Sequence, residues 1–300
     1  MPLCTVWFKK SEYEITYGVV NMFVPVGIAL SYLPSSLLFR NVSNVELLAR
    51  NLAKLLIGSA VVHVIVYLLV VVLIREKPSK GVGYFEEGKE NSNTHSLSEL
   101  ICNKNFVLLT ISVGLIYAIE KTMFIIVNQS LFQIYTEASD MVTTTGIFRG
   151  LSGIPGTLIA SFYLKSSRKF QLTTILFLIL VIVGAAFNML SLFLSNIVMI
   201  YFSSILLGFS VTGAVPLMFN YVIEVSFPYP ESKTMGILAA VAASPTLFCT
   251  PLATSLIENY GAINGNGVLL VFAIAALILA CFVKEDLRRH RADETLPFLN

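Results

Sequence analysis

Three ionisable side chains sit inside long apolar stretches, where such groups are costly and therefore informative. Glu120 and Lys121 lie well past the midpoint of Phe106–Ser130, and Arg149 lies little more than one turn into Thr144–Leu164. At that depth in a bilayer each costs about 2.5–3.5 kcal/mol on insertion scales, so each needs a cavity or a partner. Adjacent helical residues point about 100° apart, so Glu120 and Lys121 cannot both address one group. The spacing predicts that Glu120 pairs with Arg149 across two helices as a gate. A static ion pair or a snorkelling side chain is the competing reading. His63, near the centre of another apolar stretch, could relay protons, although a neutral, hydrogen-bonded packing histidine explains it as well.

The elements that must position these groups follow from composition. Hydrophobic residues make up 56% of the 300, charged residues 13%, and the mean hydropathy is +0.79, far from soluble globular composition. The chain reads as an all-α, polytopic membrane protein of about eight transmembrane helices, because apolar runs of roughly 20 residues suit a ~30 Å hydrocarbon core and period-two alternation is missing. The expected spans are Tyr13–Phe39, Leu52–Ile74, Phe106–Ser130, Thr144–Leu164, Leu172–Phe193, Ile197–Ile223, Thr234–Ile257 and Gly267–Val283. Eight crossings place both termini on one side. That side then receives every loop Lys and Arg from Lys9 to Arg291 except Arg40, Arg50 and Lys54, so the termini are expected in the cytoplasm.

The one long loop, Arg75 to Asn105, is polar and separates two spans from six. Two six-helix halves joined by a cytoplasmic linker is a carrier layout, with the solute site at the midplane between them. The expected organisation is thus 1–74, two helices of a front bundle; 75–105, linker; 106–283, a complete six-helix bundle; and 284–300, a basic tail. The spans then correspond to helices five to twelve, and helices one to four are missing. Local signals agree. Ser11 with Glu14 forms a capping pattern ahead of the first span, and Pro228 and Pro230 close the sixth. Gly146, Gly150, Gly153 and Gly156 form a small-residue face for close helix contact. Tyr117 and Thr212 fall near the midplane of spans equivalent to helices seven and ten and are substrate-cavity candidates, with helix packing as the alternative.

Three segments go further. Val6-Trp7-Phe8 with Glu12 and Gly27, Gly208-Phe209 with Thr212-Gly213 and Pro216 leading to Glu224-Val225-Ser226-Phe227-Pro228, and Asn105-Phe106 followed by Asn128-Gln129 resemble the feline leukaemia virus subgroup C receptor-related transporters. Pro228-Tyr229-Pro230-Glu231 is similar to the disrupted-in-renal-carcinoma branch of that family. The resemblance, within the major facilitator superfamily, implies a carrier of a small organic solute. Its members are associated with choline or ethanolamine, with haem, or in the other branch with a vitamin or an unidentified lysosomal substrate. It also implies cavity positions at Asn128 and Gln129. Glu120 joins these as a cavity candidate, while Glu224 and Glu231 join Glu120 and Arg149 as gate candidates. Pro25 and Ala243 stand where the family commonly has glutamines, and Lys165 where it often has an aspartate, which marks a divergent member.

No nucleotide loop, nucleophile-base pair or clustered metal ligands point to an enzyme, a cofactor or nucleic acid. Cys4, Cys102, Cys249 and Cys281 are scattered and propose neither a disulfide framework nor a zinc site. Asn41-Val42-Ser43 is a glycosylation candidate. The expected surroundings are a lipid bilayer, the plasma membrane ahead of the endolysosomal one, and a small-molecule substrate. The second functional reading is a non-transporting short form that assembles with a full-length carrier.

Overall fold

The computed structural model describes residues 8, 13–39, 42, 44–73, 97–167, 169–229 and 231–284; Asn41 and most of the linker lie outside them, as do the side chains of Lys165 and Glu231. The described residues form helices: α1 (Tyr13–Phe39), α2 (Val45–Leu73), α3 (Leu97–Cys102), α4 (Lys104–Ile134), α5 (Ser139–Ser167), α6 (Phe170–Phe193), α7 (Ile197–Ser226), α8 (Glu231–Ala243), α9 (Thr246–Tyr260) and α10 (Ala262–Cys281). Among them, seven stretches are long and apolar enough to cross a membrane: α2, α4, α6, α7, α10, most of α1, and α8 with α9 taken together. Helix α5 has the length, 29 residues, but its Thr, Ser, Gly and Arg content lowers its apolarity. It lies between α1 and α7, where packing against protein suits that composition.

Helix ends are set by local chemistry. Asn103 caps α4 by accepting from the Asn105 and Phe106 amides, and Asn196 caps α7 by accepting from Val198 and Met199. Two features depart from the expected spans. The short α3 stands inside the segment expected to be linker. The seventh span is two helices, interrupted at Ser244-Pro245. Proline has no amide to donate and clashes with the preceding turn, so the chain bridges the break through Ser244 N–H to Val241 O and Leu247 N–H to Ser244 O. Gly114 of α4 faces this break, with Pro245 Cγ 3.1 Å from where a Cβ would stand.

Helices α4 to α10 share one apolar core built on side chains such as Ile116, Met123, Leu178, Met218 and Leu269. The proximal end, where α4, α6 and α8 begin, is tied to the end of α10. Asn105 exchanges hydrogen bonds with the Lys284 backbone at 3.2 and 3.4 Å, and Gln171 donates to Val283 O at 2.7 Å. At the distal end, where α4 and α6 finish, Tyr135 Oη donates to Ser195 O at 2.6 Å and links two loops. Partial burial pushes the Tyr135 phenol up, and Tyr201 nearby acts in the same direction. Helix α1 lies along α5, whereas α2 meets α1 and turns the rest of its apolar surface outward.

The candidate solute cavity and the groups around it

Glycine spacing decides how α1 meets the larger bundle. A Cβ on Gly146 would collide with the Tyr32 ring, on Gly150 it would lie 2.9 Å from Ala29 Cβ, and on Gly153 it would lie 3.0 Å from Pro25 Cβ. Three glycines on one face of α5 therefore admit α1 at backbone distance. Gly156 is turned instead toward α7, against Phe209 O.

Where α1 and α4 diverge toward the distal end, a cavity of about 470 Å³ opens between α1, α4 and α5. Its polar wall comes from Ser31, Tyr32, Ser35 and Ser36 of α1, Asn128 of α4, and Ser139 and Thr143 of α5; Phe39, Phe124 and Phe132 supply aromatic faces. None of its lining residues is charged. The volume falls in the ~300–1,000 Å³ range of small-molecule sites. Tyr32 also crosses the seam, since its hydroxyl donates to Phe124 O at 3.2 Å.

The expected Glu120–Arg149 pair does not form. Glu120, 4% exposed, is bridged at 3.0 Å by its neighbour Lys121, whose ammonium also lies 4.6 Å from the centre of the Tyr117 ring. The backbone vectors of adjacent residues do diverge, but the four-carbon lysine stem curls back far enough to reach both groups. Arg149, 3% exposed, turns elsewhere: Nη1 donates to Met123 O and Nη2 to Ser204 Oγ at 3.2 Å, with Nε unpartnered.

The other candidates separate. Asn128 lines the cavity. Gln129, beside it on α4, is half-buried with a buried, unpartnered Oε1. Tyr117 is half-buried beneath Lys121. Thr212 is outside the cavity wall: its methyl occupies the notch at Gly153, 2.9 Å from a Cβ there, and its carbonyl accepts from Thr157 Oγ1 at 3.4 Å. Glu224 is buried near the proximal end of α7 and has an interaction partner. Glu231 opens α8, its side chain outside the described residues. His63 bonds to Ser59 O of its own helix at 2.7 Å, on the outward surface of α2, away from the cavity.

Sequence reasoning missed two groups. One is the α1 wall, signalled by Ser31, Tyr32, Ser35 and Ser36 at helical spacing in an otherwise apolar helix. The other is a buried network joining four helices. Asn188 donates to Asn266 Oδ1 at 3.0 Å and accepts from Ser203 Oγ at 3.1 Å, while Asn266 donates to Ser130 Oγ at 2.8 Å. Asn188, inside the expected Leu172–Phe193 span, was the available signal, whereas Asn266 falls just ahead of the expected Gly267–Val283 span.

Comparison with known proteins places this architecture. Over 298 residues the chain is 28% identical to the choline/ethanolamine transporter flvcr2a of Danio rerio, covering 97% of this chain and 63% of that protein. It is 27% identical to the choline/ethanolamine transporter FLVCR2 of Homo sapiens, over 98% of this chain and 57% of the relative. It is 26% identical to the choline/ethanolamine transporter FLVCR1 of Felis catus, over 96% and 53%. The chain thus spans between about half and two thirds of the length of these relatives. The sequence profile of the Major Facilitator Superfamily matches residues 1–231, through α1 and α2, the linker and the bundle as far as the start of α8. With that match added to an all-helical bundle of apolar, membrane-length helices, the chain belongs to the Major Facilitator Superfamily.

Proposed function

We propose that the chain works as part of a secondary carrier for a small polar organic solute of the choline and ethanolamine size class, with α1–α2 and α4–α10 contributing to two bundles that rock about the cavity. The observation that carries this reading is the cavity itself. It lies in the seam between α1 and the α4–α5 pair, it is lined by hydroxyls, Asn128 and aromatic rings, and its opposite walls belong to the two units that would move. The names of the relatives support the solute class.

On this reading Asn128 touches the solute, and Tyr117 and Gln129 contribute from the same helix. Glu224 and Glu231, at the proximal end, guard the opposite mouth. The termini face the cytoplasm by the distribution of Lys and Arg, and the plasma membrane is the working location. Uptake of radiolabelled choline and ethanolamine by cells expressing this chain tests the function. Saturable uptake that falls in Asn128→Leu is the expected result, and uptake equal to that of untransfected cells would overturn it.

A further inference from the structure

Arg149 is a buried cation on a membrane-length helix with only neutral acceptors. The Met123 carbonyl and the Ser204 hydroxyl hold two of its nitrogens, Nε–H points at no acceptor, and among the described residues no carboxylate is in ion-pair contact with it. The nearest buried acid on α4, Glu120, is already taken by Lys121. A guanidinium in this situation retains unmet demand for an anion, and a carboxylate is the group its donor edge fits best.

The route to such an anion is on the same wall. Met123, which holds Arg149, is followed by Phe124, whose carbonyl is held by the Tyr32 hydroxyl. Phe124 and Tyr32 both line the cavity. Two successive carbonyls of α4 are thus occupied by Arg149 and by Tyr32, which sets the guanidinium one residue behind the cavity wall and outside its lining. The lining as a whole has no acid to compete, and its Phe39, Phe124 and Phe132 rings are the kind of surface on which an ammonium group rests.

We propose that Arg149 anchors the carboxylate of a small zwitterionic solute entering beside Tyr32, so that this cavity prefers an amino acid or a betaine to the corresponding amino alcohol. The inference rests on the carrier reading and narrows its substrate class.

Glycine betaine and choline form the matched probe, since both carry the same trimethylammonium group and only one carries a carboxylate. Binding of each to the purified chain in lipid nanodiscs is the measurement. Glycine betaine is expected to bind about tenfold to a hundredfold more tightly than choline, the scale of a charge-assisted hydrogen bond. Arg149→Gln should bring the two together by weakening glycine betaine alone, while Arg149→Lys keeps part of the preference. Choline binding as tightly as glycine betaine to the unmodified chain, or a preference that survives Arg149→Gln, would overturn the anchor and leave the carrier reading standing. Binding of neither probe to a monodisperse sample would overturn both. Because the comparison on the unmodified chain needs no substitution, poor folding of a variant does not rescue the proposal.

Discussion

Tyr32 of α1 stands against Gly146 of α5 so closely that a Cβ at that glycine would enter its ring, and the same tyrosine donates to the Phe124 carbonyl of α4. One side chain therefore touches both walls of the cavity that faces it.

Replacement of Gly146 by valine should push α1 off α5. Overpacking of a well-filled contact costs about 1–3 kcal/mol. The expected readout is a lowered unfolding temperature in detergent, partly restored by adding Tyr32→Ala, which removes the obstructing ring. Equal destabilisation by the single and double substitutions would show that the two residues do not meet.

Tyr32→Phe keeps the ring and removes only the hydrogen bond to Phe124 O. Hydrogen bonds between membrane helices average about 0.6 kcal/mol and reach about 1.7. Global stability should therefore change little, whereas labelling of a cysteine placed at Ser35 should speed up as the seam opens more often. An unchanged labelling rate would remove the hydroxyl from any role in holding the seam.

The Glu120–Lys121 pair should respond asymmetrically. Lys121 has a side chain 35% exposed and can reach polar surroundings alone, while Glu120, at 5%, cannot. Breaking a buried pair by removing one partner costs about 3–5 kcal/mol when a charge is left behind in the interior. Lys121→Gln should thus lower the unfolding temperature clearly more than Glu120→Gln, and the reverse order would show that the lysine is the burdened member.

The Asn188–Asn266 bond lies in a network that joins α4, α6, α7 and α10. Asn188→Leu leaves the buried Asn266 carbonyl oxygen without its donor, at about 1–3 kcal/mol, while the Ser203 hydroxyl keeps its bond to Ile200 O. A double-mutant cycle of Asn188→Leu with Asn266→Leu should give a double variant less damaged than the sum of the singles. Strict additivity would separate the two asparagines energetically.

Much of this architecture was legible in the sequence, because a membrane-length apolar run admits few structures other than a helix. Tyr13–Phe39 begins and ends where its composition says, and the glycines of α5 announced a close contact that α1 and α7 fill. Azimuth was not legible. Depth in the bilayer is shared by Glu120 and Arg149, but which way each side chain leaves its helix depends on packing, so the inferred pair dissolved into Glu120 with Lys121 and Arg149 with Ser204. Proline was equally ambiguous. Pro25, Pro34, Pro155, Pro216 and Pro251 all stand inside continuous helices, and only at Pro245, next to Ser244 and facing Gly114, does the helix part.

That parting at Ser244-Pro245 gives one span two separate seats on the same helix. The α9 piece is fastened to α4 by the Thr122–Thr250 hydroxyl bond at 2.7 Å and by Gln133 donating to Ile257 O. The α8 piece also packs mainly on α4, where Ala242 lies against Gly114, and touches α7 less. Both fragments therefore ride on α4, and the joint lets each settle against its own stretch of that helix without one straight rod having to fit the whole length.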